Sequence, residues 1–279
     1  MAFLGSRSAA HPALVLVGVP YDATSTFRSG SRYGPDAIRW ASQSIETYSP
    51  ILRAALDDVA FTDLGNLDVS GRSADEMVAV VRGAIQSQHG QPIPIVLGGE
   101  HTISLGGVTA ATGRQGTPAV LQLDAHTDLR ERYEGAVLSH ATVMRRIAEH
   151  VGADRIVQLG VRAGTAEEFT YASAALRYHS RGLDVPPPVW EWLAARPVYV
   201  TVDIDVLDPA EAPGTGNPEP EGVSGRELLA FVRRLSQLDV VGLDLVEVSP
   251  PFDPSGRTAI MAATIIREAI LAIALGRHA

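Results

Sequence analysis

The sequence predicts an α/β fold, with a parallel β-sheet sandwiched between helical layers. Two observations carry that expectation: short runs rich in Val, Ile and Leu recur along the chain, and segments with helix-start signals lie between them. A third says where to look for function. Several runs end in carboxylate or imidazole side chains, and in parallel sheets ligands bind beyond the carboxyl ends of the strands.

Taken in chain order, the first run is "ALVLVGV" (13–19), apolar on successive residues as a strand covered on both faces should be. A helix over 35–47, opened by Pro35, separates it from "VAFTDLG" (59–65). A second helix over 73–88, capped by Ser73, precedes "PIVLGG" (94–99) and "AVLQLDA" (119–125). The segment 139–150 reads as a helix capped by Ser139, followed by "IVQLGV" (156–161), "LRYHS" (176–180) and "VYVTVDID" (198–205). A Pro/Gly-rich loop at 208–222 leads to a helix over 224–237 capped by Ser224, to "VVGLDLVEV" (240–248), and to a long helix over about 257–275. No repeat, low-complexity tract or linker-like stretch interrupts this alternation, so residues 1–279 read as one domain.

The composition of 46% hydrophobic and 20% charged residues over 279 positions suffices for a large buried core. A net charge of −9 makes the phosphate backbone of nucleic acids a poor partner and a cation an easier one. With no cysteine there are no disulfides, no thiolate catalysis and no thiolate-rich zinc sites. The N-terminal apolar run from Pro12 to Val19 is too short to span a bilayer and lacks a cleavage pattern, so the expectation is a cytoplasmic protein without a membrane partner. The basic residues are all arginine, a compositional bias to which no functional role is attached.

Four expected strands discharge polar groups at the end where a site belongs: Glu100 and His101 after the third run, Asp124, His126 and Asp128 after the fourth, Asp203 and Asp205 from the seventh, and Glu247 from the eighth. A strand-end Asp alone usually caps a helix or forms a turn. Four carboxylates at one crevice mouth, however, must either take up protons or meet a counter-charge. Two divalent cations balance Asp124, Asp128, Asp203 and Asp205, with His101 and His126 as neutral nitrogen ligands. The spacing of two in "DAHTD" and "DID" lets alternate side chains of an extended chain converge. Oxygen-dominated ligands without sulfur suit Mn²⁺, tolerate Co²⁺ or Fe²⁺, and disfavour structural zinc. Two such ions supply an activated water at neutral pH, which makes hydrolysis the leading reaction class.

These segments, in this order, resemble the ureohydrolase family of arginases and agmatinases. "GVPYDATSTFRSGSRYGPDAIR" (18–39), "GGEHTISLG" (98–106), "DAHTDL" (124–129), "SHATVMRR" (139–146), "DIDVLDPAEAPGTGNPEPEG" (203–222) and "DLVEVSPPFD" (244–253) carry the resemblance over nearly the whole chain. It implies a three-layer α/β/α fold around an eight-stranded, mostly parallel sheet, two Mn²⁺ per chain, release of urea from a small cationic guanidine, and a homotrimer or homohexamer. Carried over by residue, His101, Asp124, Asp128 and Asp203 would hold one ion and Asp124, His126, Asp203 and Asp205 the other, with Asp124 and Asp203 bridging. Asp128 would steady the attacking hydroxide and the tetrahedral intermediate, and Glu247 would pair with the guanidinium. His140 matches the family's proton-shuttle histidine; the competing reading is a structural residue in the first turn after Ser139. His11, His89, His150, His179 and His278 occupy no such position. A single-zinc deacetylase of the same fold and an inactive family member acting as a binding module are the rivals, and both fit poorly with an intact set of six ligands and Glu247.

The tail of the substrate is read from the loop "LRERYEGAVLS" (129–139), which holds Glu131 and Glu134 and no asparagine. A carboxylate-tailed substrate would meet like charge there unless Arg130 or Arg132 turned inward. The expectation is therefore agmatine, cleaved to putrescine and urea, ahead of aminopropylagmatine, guanidinobutyrate, arginine or formiminoglutamate. The competing reading of these charges is a solvated face. Thr215 and Asn217 are further candidates for the tail pocket, against a plain role in turn chemistry.

Overall fold

All eight apolar runs become strands of one parallel sheet. The computed structural model describes residues 1–277, so His278 lies outside the described residues. In chain order the elements are β1 (Leu14–Val19), α1 (Gly34–Ser42), the two-residue strands β2 (Tyr48–Ser49) and β3 (Ala54–Ala55), β4 (Phe61–Asn66), α2 (Ala74–Gln86), β5 (Ile93–Gly98), α3 (Ser104–Gln115), β6 (Ala119–Leu123), α4 (Val143–Val151), β7 (Ile156–Leu159), α5 (Ala166–Ala175), β8 (Tyr178–Ser180), α6 (Pro187–Ala194), β9 (Pro197–Asp203), α7 (Gly225–Arg233), β10 (Asp239–Val246) and α8 (Arg257–Gly276). The sheet order is β4-β1-β5-β10-β9-β6-β7-β8, and β2 pairs antiparallel with β3 as a separate ribbon.

Alternation along the strands sorts the core into two layers. Leu14, Leu16, Leu121, Leu123, Leu243 and Leu245 pack with Ile38 of α1, Leu193 of α6, Leu228 of α7 and the apolar face of α8. On the other face, Val17, Val19 and Val96 pack against Met77, Val81 and Ile85 of α2, while Val120 and Tyr199 meet Val108 of α3, Ile147 of α4 and Ala172 of α5. Burial on both faces is why the strands read as continuous apolar runs. Among the described residues α8 is the one helix long and apolar enough to cross a membrane. Here it is a core helix: Ile265, Ile266, Ile270 and Leu271 are fully buried, each contributing about 1.5–3 kcal/mol. Its buried Glu268 is held below the usual carboxylate range against its burial by hydrogen bonds from Arg233, Arg267 and Ser49.

The capped helices form with small boundary shifts. Ser73 and Ser224 each make a reciprocal capping box with the glutamate three residues on, Glu76 and Glu227. Ser139 makes one with Thr142, but the first turn there is a 3₁₀ turn, His140–Thr142, before α4 begins. α3, α5 and α6 were not expected from the pattern. α3 contains two adjacent glycines, yet α5 carries a legible signal, a capping box of Thr165 and Glu168, and α6 opens on Pro187.

The topology places the site. β5, β10, β9 and β6 are consecutive, the middle four strands of eight, and they are the four whose carboxyl ends carry Glu100 and His101, Glu247, Asp203, and Asp124. Their exits need close packing. A Cβ on Gly99, just after β5, would lie 2.1 Å from the Tyr21 carbonyl oxygen, and one on Gly160, in the left-handed region at φ 90°, would lie 2.9 Å from the Asp124 carbonyl oxygen.

Candidate active site

Asp124, His126 and Asp128 do not converge by strand alternation. β6 ends at Leu123, and beyond it the chain turns: the Asp124 carboxylate accepts a hydrogen bond from His126 N–H at 2.6 Å, and Asp128 sits in the left-handed region at φ 52°. The same happens after β9, where Asp203 Oδ1 accepts from Asp205 N–H at 2.9 Å and Asp205 lies in the 3₁₀ turn Ile204–Val206. Each leading aspartate is thus both a turn former and a candidate ligand. Glu247, just past β10, is likewise left-handed at φ 64°, its N–H donating to Gly99 O at 2.8 Å. Two non-glycine site carboxylates in this sparsely populated region mean that the surrounding packing holds them there.

The side chains gather in two overlapping groups. His101 Nδ1 lies 3.1 Å from Asp124 Oδ2, 3.1 Å from Asp128 Oδ2 and 3.6 Å from Asp203 Oδ2. His126 Nδ1 lies 2.9 Å from Asp205 Oδ2 and 3.6 Å from Asp124 Oδ1. The groups His101, Asp124, Asp128 and Asp124, His126, Asp205 share Asp124. His101 Nδ1 is buried and makes no hydrogen bond among the described residues, although three carboxylates surround it. Ligand atoms roughly 2.1 Å from one cation sit about 3 Å apart, which is the spacing seen here. An orphaned buried nitrogen within an all-oxygen and imidazole set fits divalent metal ions.

Supporting hydrogen bonds orient these groups. His101 Nε2 faces Thr201 Oγ1 at 2.9 Å, and Thr201 donates to Asp244 at 2.6 Å, where Tyr199 also donates at 2.9 Å. Gln122 donates to Asp124 Oδ2 at 2.7 Å, and Ala125 N–H donates to Asp205 Oδ1 at 3.1 Å. Such outer partners fix ring orientation and ligand basicity.

The electrostatics express crowding of like charge. Burial and the Asp205, Asp124 and Glu247 charges push the Asp203 carboxyl well above its ordinary value, and burial with the Asp124 charge raises Asp128 to about 6. Burial and Glu100 push Glu247 well up. Burial opposes charge on the imidazoles, yet Asp124 and Asp128 hold His101 well above its usual value, as Asp205 and Asp124 do His126. The cluster therefore attracts positive charge from any source available, proton or cation.

A cleft of about 230 Å³ opens over the cluster, lined also by Glu247, His140, Arg130, Tyr133, Asn217 and Glu219. Glu247 Oε1 accepts the backbone N–H of His101 at 2.9 Å. Behind His140 stands Thr24, whose hydroxyl donates to Glu100 Oε2; its lone pairs face His140 N–H at 3.1 Å and His140 Nδ1 at 3.4 Å. With its proton committed to Glu100, Thr24 can only accept, so Nδ1 of a neutral His140 carries the hydrogen and Nε2 is bare. Burial, then the His126 and His101 charges, pull the His140 imidazole down to about 4.

The loop expectations need correction. Glu131 is 78% exposed and pairs with Arg145 at 3.1 Å, and Glu134 is exposed; neither lines the cleft. Thr215 is buried, its hydroxyl without a hydrogen-bond partner among the described residues, and does not line the cleft, whereas Asn217 does. Arg130 turns inward and Arg132 does not: Arg130 stacks on Tyr133 at 4.7 Å and pairs through Nε with Glu168 at 3.4 Å. The hydrophilic loop lies across a helix start, and the carboxylates with free access to water stay in it. Thr24, Glu168 and Glu219 were missed; Glu219 stood in a segment already singled out, and Glu168 in a visible capping box.

Comparison with known proteins places this geometry. The arginase family model matches residues 12–272. An agmatinase of Halalkalibacterium halodurans is 41% identical over 263 residues, covering 92% of this chain and 91% of the relative. A guanidinobutyrase of Pseudomonas aeruginosa is 35% identical over 266 residues, covering 90% and 83%. The crystal structure of an agmatine ureohydrolase of Thermoplasma volcanium superposes with a TM-score of 0.88 at 31% identity, covering 99% of this chain and 95% of that one. The chain belongs to the arginase family. Within that family it is a ureohydrolase that most resembles the agmatinases.

Proposed function

We propose that the protein hydrolyses agmatine to putrescine and urea, as a single-domain, cytoplasmic homotrimer or homohexamer carrying two Mn²⁺ per chain. The observation that carries the reading is the shared Asp124 between two ligand groups, with Glu247 facing the same cleft. His101, Asp124, Asp128 and Asp203 would hold one ion, and Asp124, His126, Asp203 and Asp205 the other. Bound there, the ions lower the pKa of water so that a nucleophile is available at neutral pH.

The chain's own groups do the rest. Glu247, with one oxygen committed to His101 N–H, presents the other to the paired N–H donors of a guanidinium and so orients its carbon. Asp128, against His101 in the cleft wall, accepts a hydrogen bond from the attacking oxygen and holds it on line. As the carbon–nitrogen bond breaks, the departing amine needs a proton; the bare Nε2 of His140, in the cleft wall, would take the proton that the attacking water gives up and pass it to the amine. Similarity to agmatinases supports the amine tail. A second reading, a guanidino acid such as guanidinobutyrate, is favoured by the inward turn of Arg130, although Glu168 already claims that charge.

A urea-release assay of manganese-loaded enzyme across agmatine, aminopropylagmatine, guanidinobutyrate and arginine tests the proposal. The highest kcat/KM is expected for agmatine, and a higher value for any of the others overturns the substrate assignment. Unchanged rates in Asp128→Asn or Glu247→Ala would sink those two roles.

A further inference from the structure

We propose that Glu219 reads the distal ammonium of the substrate, so that the amine tail is selected by the 208–222 loop. The inference rests on the guanidine-hydrolase reading above and deepens it. Six carboxylates line the cleft: Asp128, Asp203, Asp205, Glu168, Glu219 and Glu247. The three aspartates belong to the ligand set, and Glu247 faces the guanidinium. Glu168 is buried, accepting from Thr127 Oγ1 at 2.8 Å, Leu129 N–H at 3.0 Å and Thr165 N–H at 2.8 Å, with Arg130 beside it. Glu219 remains: its side chain is 40% exposed, and the one ion-pair partner its carboxylate has among the described residues is the imidazole of His126, with Nε2 at 3.7 Å.

Its position suits a tail group: Glu219 lies on the rim of the cleft, with the His126 imidazole between it and Asp205. The backbone that carries Glu219 is held in place before any substrate arrives. Arg162 spans the loop and the end of β9, its guanidinium donating to Glu219 O at 2.9 Å, Pro220 O at 2.9 Å and Asp205 O at 2.7 Å. A loop fixed in advance loses less freedom on binding. Arg130, the one guanidinium in the wall, is offset by Glu168, so the unbalanced charge at the rim is negative. The inversion is instructive: the loop that looked acidic in sequence turns its carboxylates to solvent, and the loop that looked like turn chemistry supplies the acid.

The competing role for Glu219 is to orient His126 from outside, which would change metal binding and affect every substrate alike. The experiment compares wild type, Glu219→Gln and Glu219→Arg in manganese-loaded form, measuring kcat/KM for agmatine and guanidinobutyrate, putrescine affinity by calorimetry, and manganese per chain. Glu219→Gln is expected to lower kcat/KM for agmatine about tenfold, chiefly through KM, to weaken putrescine by a similar factor, and to leave guanidinobutyrate and manganese content unchanged. Glu219→Arg is expected to invert the preference towards guanidinobutyrate. An unchanged agmatine-to-guanidinobutyrate ratio in both variants overturns the inference, as does an equal loss on both substrates accompanied by lost manganese. Wild-type enzyme that releases no urea from agmatine sinks the functional reading and this inference together; an active wild type with an unchanged ratio sinks this inference alone.

Discussion

Removing the Glu168 carboxylate should unfasten the backbone that carries Asp128. Glu168 is 4% exposed and caps α5 through Thr165, and its Oε1 accepts both Thr127 Oγ1 and Leu129 N–H, the residues on either side of Asp128. Thr127 is fully buried and Leu129 nearly so, so in Glu168→Ala two donors lose their acceptor. Each orphaned donor costs about 1–3 kcal/mol, and the truncated cap at the start of α5 adds about 1 kcal/mol. The sum is about 4 kcal/mol, or a fall in Tm of roughly 8 °C for a chain of this size. Because Glu168 is one of the restraints on the left-handed backbone of Asp128, urea release should fall further than the stability loss explains, at temperatures where the variant is fully folded. Glu168→Gln keeps one carbonyl oxygen for Thr127 and Leu129 and should lose less than half as much. Differential scanning calorimetry and steady-state assays at 25 °C are the measurements; a Glu168→Ala Tm within 1 °C of wild type would refute the reasoning.

Three further outcomes are expected. Asp124→Asn, which removes the carboxylate common to both ligand groups, should leave well under one manganese per chain by elemental analysis, whereas Asp205→Asn should retain about one; equal losses would deny Asp124 its shared position. Thr24→Val should shift the neutral His140 tautomer away from Nδ1–H in its ¹⁵N spectrum and lower kcat about tenfold with little change in KM, and Thr24→Ser should restore both; an unmoved tautomer removes Thr24 from the positioning role. His140 is held neutral to about 4 against 6.5 when unfolded, so between those values the unfolded chain binds more protons. Its stabilising share is complete above pH 6.5 and declines as pH falls towards 4, by about 3 kcal/mol in denaturant titrations, and His140→Asn should flatten that decline.

The strands were legible because both faces of this sheet are covered, so each read as an unbroken apolar run bounded by polar tips. Helices with serine caps were legible for the same local reason, while α3, with Gly106 and Gly107 in its first turns, carried no such signal. Gly107 is there for a contact far away in sequence: a Cβ would lie 1.9 Å from the Tyr199 hydroxyl. The identities of the six clustered residues and Glu247 were legible from their strand-end positions and their resemblance to family motifs, since charge crowding at a crevice mouth has few explanations. The facing of Glu131, Glu134, Arg130 and Thr215 was not, because the direction of a loop side chain follows the packing of that loop and not its composition.

By itself, the sequence determined the parallel sheet between helical layers and the set of acids and imidazoles at the carboxyl ends of its strands, because burial and like-charge repulsion act on residue types wherever they fall. Only the tertiary structure decided that β5, β10, β9 and β6 stand side by side, that Asp128 and Glu247 take left-handed backbones to aim inward, and that the acid on the cleft rim is Glu219 and not Glu131 or Glu134. Strand order, backbone handedness and side-chain facing are set by contacts between segments tens of residues or more apart, and no local pattern encodes them.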